Sequence, residues 1–263
     1  MCEVMQTPFG SVTSYTFFVN MGTLFGVAAA FLIFWKRIKQ RRELAAAILA
    51  LAGSMAVGAY LSTVVRQLTY MDFGTVETLW ERVARHEGNH FSGRVLAAAV
   101  CYPLFYRLSC LFLRQKKTPE NLSAALDGTG FFLIIQHFFN RAACLMNGCC
   151  YGKPYGGIGS IRLLAAEVDY RVFPSQIFEM AGMFVLLLFM LLRYRKKKNV
   201  FGEAVLGFGI TVFVSEFFMD QRGTLLFMGM NGIQFTALAL CLISVLFYRG
   251  RGRRGGGERQ KRR

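Results

Sequence analysis

Seven apolar runs of near-membrane length restrict this chain more than any other feature. They lie at about 14–35, 44–64, 94–113, 127–146, 175–192, 203–219 and 229–248. Each is close to the ~20 residues a helix needs to cross a bilayer core, with the sixth on the short side. Composition agrees: 54% hydrophobic residues and a mean hydropathy of +0.38 are too apolar for a soluble domain. The charges interrupt the sequence too often for one buried core. The expectation is an all-α polytopic membrane protein with seven transmembrane helices over 1–248, then a basic tail over 249–263. Gly22, Gly26, Gly53, Ser54 and Gly58 lie inside the first two runs, where small residues let helices approach closely. The first run has a polar lead-in and no small-residue cleavage site before its basic flank, so it reads as a retained helix rather than a signal peptide. No internal repeat is visible.

The net charge is +16 and the isoelectric point about 9.9, which in a soluble protein would suggest nucleic acid. The placement of the charges argues otherwise. Basic clusters at Lys36–Arg42, Arg114–Lys117, Arg193–Lys198 and Arg249–Arg263 follow the first, third, fifth and seventh runs. The positive-inside rule then puts the N-terminus outside and the C-terminus in the cytoplasm. The tail reads as a disordered cytoplasmic end, and no nucleic-acid partner is needed. Three outer segments result: Gln67–Gly93, Asn147–Pro174 and Asp220–Met228. The first carries Trp80, Glu81, Arg82, Arg85, His86, Glu87 and His90, a composition suited to a short interfacial helix. The second offers a short strand pair, 157–163 with 168–172, so the outer loops should form a small irregular head.

The stretch QHFFNRAACLMNGCCYGKPYG, Gln136–Gly156, begins in an apolar run and ends where no helix can continue. Arg141 sits where lipid would not tolerate a charge, and an ionisable residue at that depth marks a functional site by default. His137, Arg141, Cys144 and Gly148 fall at i, i+4, i+7 and i+11, one face of a helix, with Asn140 and Asn147 beside it. His137 and Arg141 are then about 6 Å apart along the axis. The expected topology puts Arg141 one to two turns below the outer surface, at headgroup depth. A planar guanidinium fork suits a phosphate there. The structural alternative is an ion pair with Glu179 or Glu216, since intramembrane carboxylates also need partners. His137 alone reads equally as a hydrogen-bonded interior histidine. Of the seven cysteines, Cys101, Cys110 and Cys241 read as buried small hydrophobes. Cys144, Cys149 and Cys150 have a C-x4-C-C spacing that matches no common zinc pattern, so no metal or other cofactor is expected. Reactive thiol chemistry near Arg141 stays open.

These residues resemble the prolipoprotein diacylglyceryl transferases. Arg141-x-x-Cys144-x-x-Asn147-Gly148-Cys149-Cys150-Tyr151-Gly152 is similar to the family signature GRIGCFLNGCCYG. Phe173–Glu179 resembles its HP(S/T)QLYE motif, Glu216-Phe217-Phe218 its IEF segment, and Gln234 stands where the family has a glutamine before the last span. The resemblance covers about 127–248. It implies transfer of diacylglycerol from phosphatidylglycerol to the lipobox cysteine of a prolipoprotein at the outer leaflet of the cell membrane. Arg141 then binds the phosphate. Asn147, Gly148 and Gly152 shape the mouth of the site. Glu216 and Gln176 orient the arginine, with Glu179 alongside. His137, or else His90, assists the thiol, and Tyr15 stands for a tyrosine of the family's first span. Two positions depart from the pattern. Ser92 occupies the place of the usual histidine at the start of the third span, and Val212 that of an arginine four residues before Glu216. A further family arginine, three residues after Glu216, is Met219 here, with Arg222 one turn on. The rival reading is therefore a non-catalytic relative that binds anionic phospholipid or a lipoprotein precursor.

Overall fold

A computed structural model describes residues 4–7, 10–70, 90–115, 119–163, 168–196, 199–220 and 227–245. Seven helices are present among them: α1 Ser14–Arg37, α2 Arg41–Tyr70, α3 Ser92–Phe112, α4 Pro119–Met146, α5 Ser175–Arg195, α6 Phe201–Glu216 and α7 Gly232–Val245. The first five are long and apolar enough to cross a membrane. Helix α6 has 16 residues, about 24 Å at 1.5 Å per residue. The chain continues past its end in tight turns, Phe218 N–H and Met219 N–H both donating to the Ser215 carbonyl. A two-stranded antiparallel hairpin, β1 Val4–Thr7 and β2 Gly10–Thr13, precedes α1 and was not foreseen. The strand pair expected at 157–163 and 168–172 shrinks to isolated bridges, Ile161 with Val172 and Pro154 with Val172. Gly157 and Gly159 begin the expected strand, and Gly159 takes φ +82°, outside the extended conformation that a ladder needs. The expected interfacial helix around Trp80–Glu87, Arg222 and the tail 249–263 lie outside the described residues.

Helix α4 is the centre of the bundle. Buried residues make up 72% of its apolar window, against 22–39% for the other four long helices. It packs along α1 and also meets α5 and α6, while α2 packs along α3. Glycines set the two closest approaches. A Cβ at Gly26 would lie 2.8 Å from the Phe132 ring and 3.0 Å from its carbonyl, so α1 can lie against α4 only without one. A Cβ at Gly93 would come within 2.5 Å of the Leu61 and Ser62 backbone, which locks the start of α3 onto α2. Large apolar side chains such as Leu111, Phe112 and Leu242 point outward, 70% or more exposed, as lipid contact requires.

Asp127, buried on α4, ties the end opposite the signature together. Its Oδ1 accepts the backbone N–H groups of Val200 (2.7 Å) and Phe201 (3.1 Å), and its Oδ2 accepts from Arg37 Nη1 at 2.8 Å. One carboxylate therefore caps the start of α6 from a different helix and pairs with the basic end of α1. Asp127→Ala should lower unfolding stability in detergent by about 2–3 kcal/mol, through two orphaned N–H groups and the lost ion pair. A thermal melt of the variant checks this. An unchanged midpoint would mean the cap carries no weight.

Candidate active site at the end of the central helix

The signature sits where α4 stops, and the stop is a Schellman cap. Gly148 adopts φ +65°, its N–H donates to the Leu145 carbonyl (3.3 Å), and the Cys149 N–H donates back to the Cys144 carbonyl (3.0 Å). Asn147 and Gly148 are the cap and the left-handed residue after it. Cys150 also takes a positive φ of 55°, so the chain folds back over the helix end. Two side chains from the first turn of α5 hold that fold. Gln176 Nε2 donates to the Cys149 carbonyl (2.7 Å) and Ser175 Oγ to the Cys150 carbonyl (2.8 Å). Gly152 follows, its N–H on the Phe173 carbonyl at 3.0 Å. A Cβ at Gly152 would sit 2.6 Å from that oxygen and 2.7 Å from the Phe218 oxygen, so only glycine lets three backbone segments meet there. The Phe173 and Phe218 rings stack at 4.8 Å over this junction.

Beneath the cap lies a buried polar knot. Glu179 on α5 is fully enclosed. Its Oε2 meets His137 Nε2 at 2.9 Å and Arg141 Nε at 2.7 Å, and its Oε1 accepts from Ser215 Oγ at 2.9 Å. Of the two pairings open to Arg141, the structure has Glu179. Arg141 and His137 are one turn apart on α4, as their spacing required, and one carboxylate holds both. The bond to Arg141 uses Nε, so the two terminal nitrogens of the guanidinium have no protein partner among the described residues. His137 lies between the rings of Phe91 (4.8 Å) and Phe208 (4.9 Å). With Nε2 engaged by a carboxylate it carries the proton there, and Nδ1 is left as an acceptor without a partner among the described residues.

Glu216 lies within electrostatic reach of Arg141, while Gln176 holds the turn after α4. Glu216 Oε2 accepts from Asn231 Nδ2 at 2.8 Å. Asn231 and Gln234 exchange side chain-to-backbone bonds of 2.9 Å each way, a capping box that starts α7. The family glutamine thus acts on a helix end, and Glu216 joins α6 to that end. Val212 is buried in the apolar core, and its carbonyl receives a second contact from Ser215 Oγ at 3.1 Å. Ser92 begins α3 and is buried. Its N–H reaches His90 Nδ1 at 3.4 Å, and the His90 N–H donates to the Ser62 carbonyl at 3.1 Å. His90 is therefore held at the same end of the bundle, within electrostatic reach of Arg141, Glu179, Cys150 and His137. Burial drives its imidazole down to about 3, and the Arg141 cation works in the same direction.

Two features escaped the sequence reading. Arg94 lies one turn into α3, its guanidinium 5.8 Å from the Phe91 ring centroid, in electrostatic contact with Tyr15 of α1. It is a second cation near the site, and an arginine inside an apolar run was the signal, the same one that picked out Arg141. The other feature is the clustering of the thiols. Cys144, Cys149 and Cys150 bring all three Sγ atoms within 4.8 Å of one another, next to Tyr15. Cys144 Sγ also donates to Asn140 Oδ1 at 3.8 Å. Hydrogen bonds from Cys144 and Cys149 hold the Cys150 thiol well below the usual thiol range.

Comparison with known proteins identifies the family. Residues 3–249 match the family model for prolipoprotein diacylglyceryl transferase. A phosphatidylglycerol–prolipoprotein diacylglyceryl transferase of Dehalococcoides mccartyi is 29% identical over 122 residues, 44% of this chain and 46% of that protein, so the chain spans about half the length of this relative. One from Clostridium tetani is 27% identical over 52% of this chain and 57% of its own. The second such transferase of Clostridium perfringens is 26% identical over 94% of this chain and 95% of its own. With five helices fit to span a membrane and a match over nearly the whole chain, this is a multi-pass membrane protein that belongs to the prolipoprotein diacylglyceryl transferase family.

Proposed function

We propose that this protein transfers a diacylglyceryl group from phosphatidylglycerol to the lipobox cysteine thiol of prolipoproteins. The reaction takes place at the outer leaflet of the cell membrane. The orientation, N-terminus out and C-terminus in, rests on the four basic clusters. The observation that carries the reading is the Arg141 guanidinium. It is buried and tied through Nε to Glu179, and among the described residues neither terminal nitrogen has a hydrogen-bond partner, which suits the two oxygens of a phosphate diester. An apolar groove of about 560 Å³ supports it. The groove runs along α5 and α6 from Phe178 past Gly182 and Val185 to Phe189, with Gly207 and Ile210 opposite. It begins one residue from Glu179 and opens toward lipid, which suits an acyl chain whose headgroup lies at Arg141.

In the reaction the thiol sulfur attacks the glycerol carbon that bears the phosphate, the C–O bond breaks and glycerol phosphate leaves. Arg141 neutralises the charge that grows on the leaving phosphate. His137 is the base through Nδ1, its ring fixed by Glu179 in the way a carboxylate orients a catalytic histidine. His90 is a neutral neighbour at the mouth. Arg94, beside Tyr15, supplies a second cation where Val212 has replaced the arginine of α6. A second reading stays attached to Val212 and Ser92, both buried and neither able to carry charge: a relative that binds phosphatidylglycerol without turning it over. Release of glycerol phosphate from phosphatidylglycerol in the presence of a lipobox peptide, with the mass of the modified cysteine, separates the two.

Arg141→Lys keeps a cation for Glu179 but loses the fork, so kcat/KM should fall about 10–100-fold with the fold intact. A wild-type rate would sink the phosphate assignment. His137→Gln retains a donor for Glu179 and removes the base. It should lower turnover about 100-fold while leaving phosphatidylglycerol binding unchanged, and a loss of binding instead would reassign His137 to structure. His90, held near 3 in the fold against about 6.5 unfolded, binds no proton in the folded protein at the acidities where the unfolded chain takes one up. Stability from this residue is therefore present at neutral pH and lost as pH falls below about 6.5. Melting midpoints between pH 7.5 and 4.5 should decline, and His90→Gln should flatten that decline.

A further inference from the structure

The three thiols at the helix end are more than the proposed reaction uses. Their spacing along the chain matched no metal motif, yet the cap brings them together. The Schellman turn closes Cys149 onto Cys144, and the positive φ of Cys150 folds the third sulfur back onto the pair. All three Sγ lie within 4.8 Å of one another. Sulfurs bound to one tetrahedral zinc ion at 2.3 Å stand about 3.8 Å apart, so side-chain rotation of roughly an ångström closes the site. The backbone that carries them is braced by Gln176 and Ser175, so the positions are set by bonds other than those a metal would make. Cys144 is buried, Cys149 intermediate and Cys150 exposed, which leaves one side of the triad open. Three thiolates suit a soft, thiophilic ion, and three protein ligands with a vacant position is the pattern of catalytic rather than structural zinc. A disulfide would use two of the three and leave the third idle.

We propose that Cys144, Cys149 and Cys150 bind one Zn²⁺ ion and that its open fourth position takes the thiol of the acceptor cysteine. This rests on the transferase reading above and deepens it. Coordination releases the thiol proton, which passes to His137 or to solvent. The bound sulfur then gives its electron pair to the glycerol carbon. A C–S bond forms, the C–O bond breaks, and the C–O pair leaves on the phosphate oxygen facing Arg141. Arg141 is in electrostatic reach of Cys144 and Cys150, so nucleophile and leaving group are held by neighbouring parts of one turn and one helix. A metal-held thiolate also compensates for the position where Ser92 stands in place of a base.

The test uses the full chain purified in detergent, stripped of metal under reducing conditions and titrated with Zn²⁺ or with Co²⁺ as an optical probe. One equivalent should bind, with sulfur-to-cobalt charge-transfer absorption. Cys144→Ser, Cys149→Ser and Cys150→Ser should each weaken binding at least 10-fold, and Cys241→Ser should not. A lipobox peptide should strengthen the charge-transfer band, and the same peptide with serine for its cysteine should leave it unchanged. The peptide arm uses the unmutated protein, so a variant that folds poorly does not decide the outcome. The inference is overturned if no metal is retained, if a disulfide among the three is found by mass in its place, or if the metal-free protein transfers at the full rate. In that last case the transferase reading stands alone. If the cobalt protein takes up the peptide thiol but never releases glycerol phosphate, the metal site stands and the transferase reading fails.

Discussion

Glu179 is the point on which the rest of this structure depends. It sits in the bundle interior with no exposed atom, and one side chain joins α4 through His137 and Arg141, α5 through its own backbone, and α6 through Ser215. A carboxylate there is tolerable only because three donors face it, and Arg141 at that depth is tolerable only because the carboxylate faces it. Removing either partner strands the other, so the pair fixes the relative height and rotation of three helices. Among the described residues, its geometry also leaves the terminal nitrogens of Arg141 uncommitted. A fork-to-fork pairing would have been the stronger ion pair. The structure has the Nε contact instead, which keeps the arginine in place through one edge of its guanidinium.

The second constraint is the helix end. A central helix that enters a polar site has to expose four carbonyls somewhere, and α4 does so under a Schellman cap, an asparagine–glycine pair and two α5 side chains. Gly152 then lets the Phe173 and Phe218 segments close over the cap. The signature residues therefore divide by physical task. Arg141 and His137 are inside the helix, where both meet the buried Glu179 carboxylate. Asn147, Gly148 and Gly152 lie beyond it because the backbone needs a stop and a close crossing. Gln176 and Ser175 serve the stop rather than the arginine.

Much of the fold was legible because membrane physics is severe. The runs of apolar residues set the helices to within a few residues at most ends, and the small residues inside α1 and α2 were rightly read as contact points. What stayed hidden followed from tertiary contact. Choosing between Glu179 and Glu216 as the partner of Arg141 required knowing how α5 and α6 rotate against α4, which periodicity on each helix alone does not specify. Glu216 went to the capping box of α7 instead. The strand pair failed because alternation over a few residues cannot tell a ladder from a single bridge. Arg94 was overlooked beside Ser92, although its position in an apolar run carried the same warrant as that of Arg141.

The thiol triad shows where motif reading and physical reading part. C-x4-C-C looks wrong for metal because familiar zinc patterns come from hairpins and ribbons, where a second spaced pair of ligands follows the first. At a helix C-terminus the relevant spacing is different. In a Schellman cap the residue after the glycine contacts the third-from-last helical position, and those are Cys149 and Cys144. An Asn-Gly pair that begins three residues after a cysteine, with another cysteine directly behind it, therefore brings those two cysteines together through backbone geometry. The third sulfur arrives only because Cys150 accepts a positive φ, a strained conformation for a non-glycine residue. Ser175 holds it there by its carbonyl. The conformation costs energy and is braced from a different helix, as the proposed thiol site requires. The turn that carries Cys150 and the helix that carries Arg141 thus hold sulfur and guanidinium within electrostatic reach of each other.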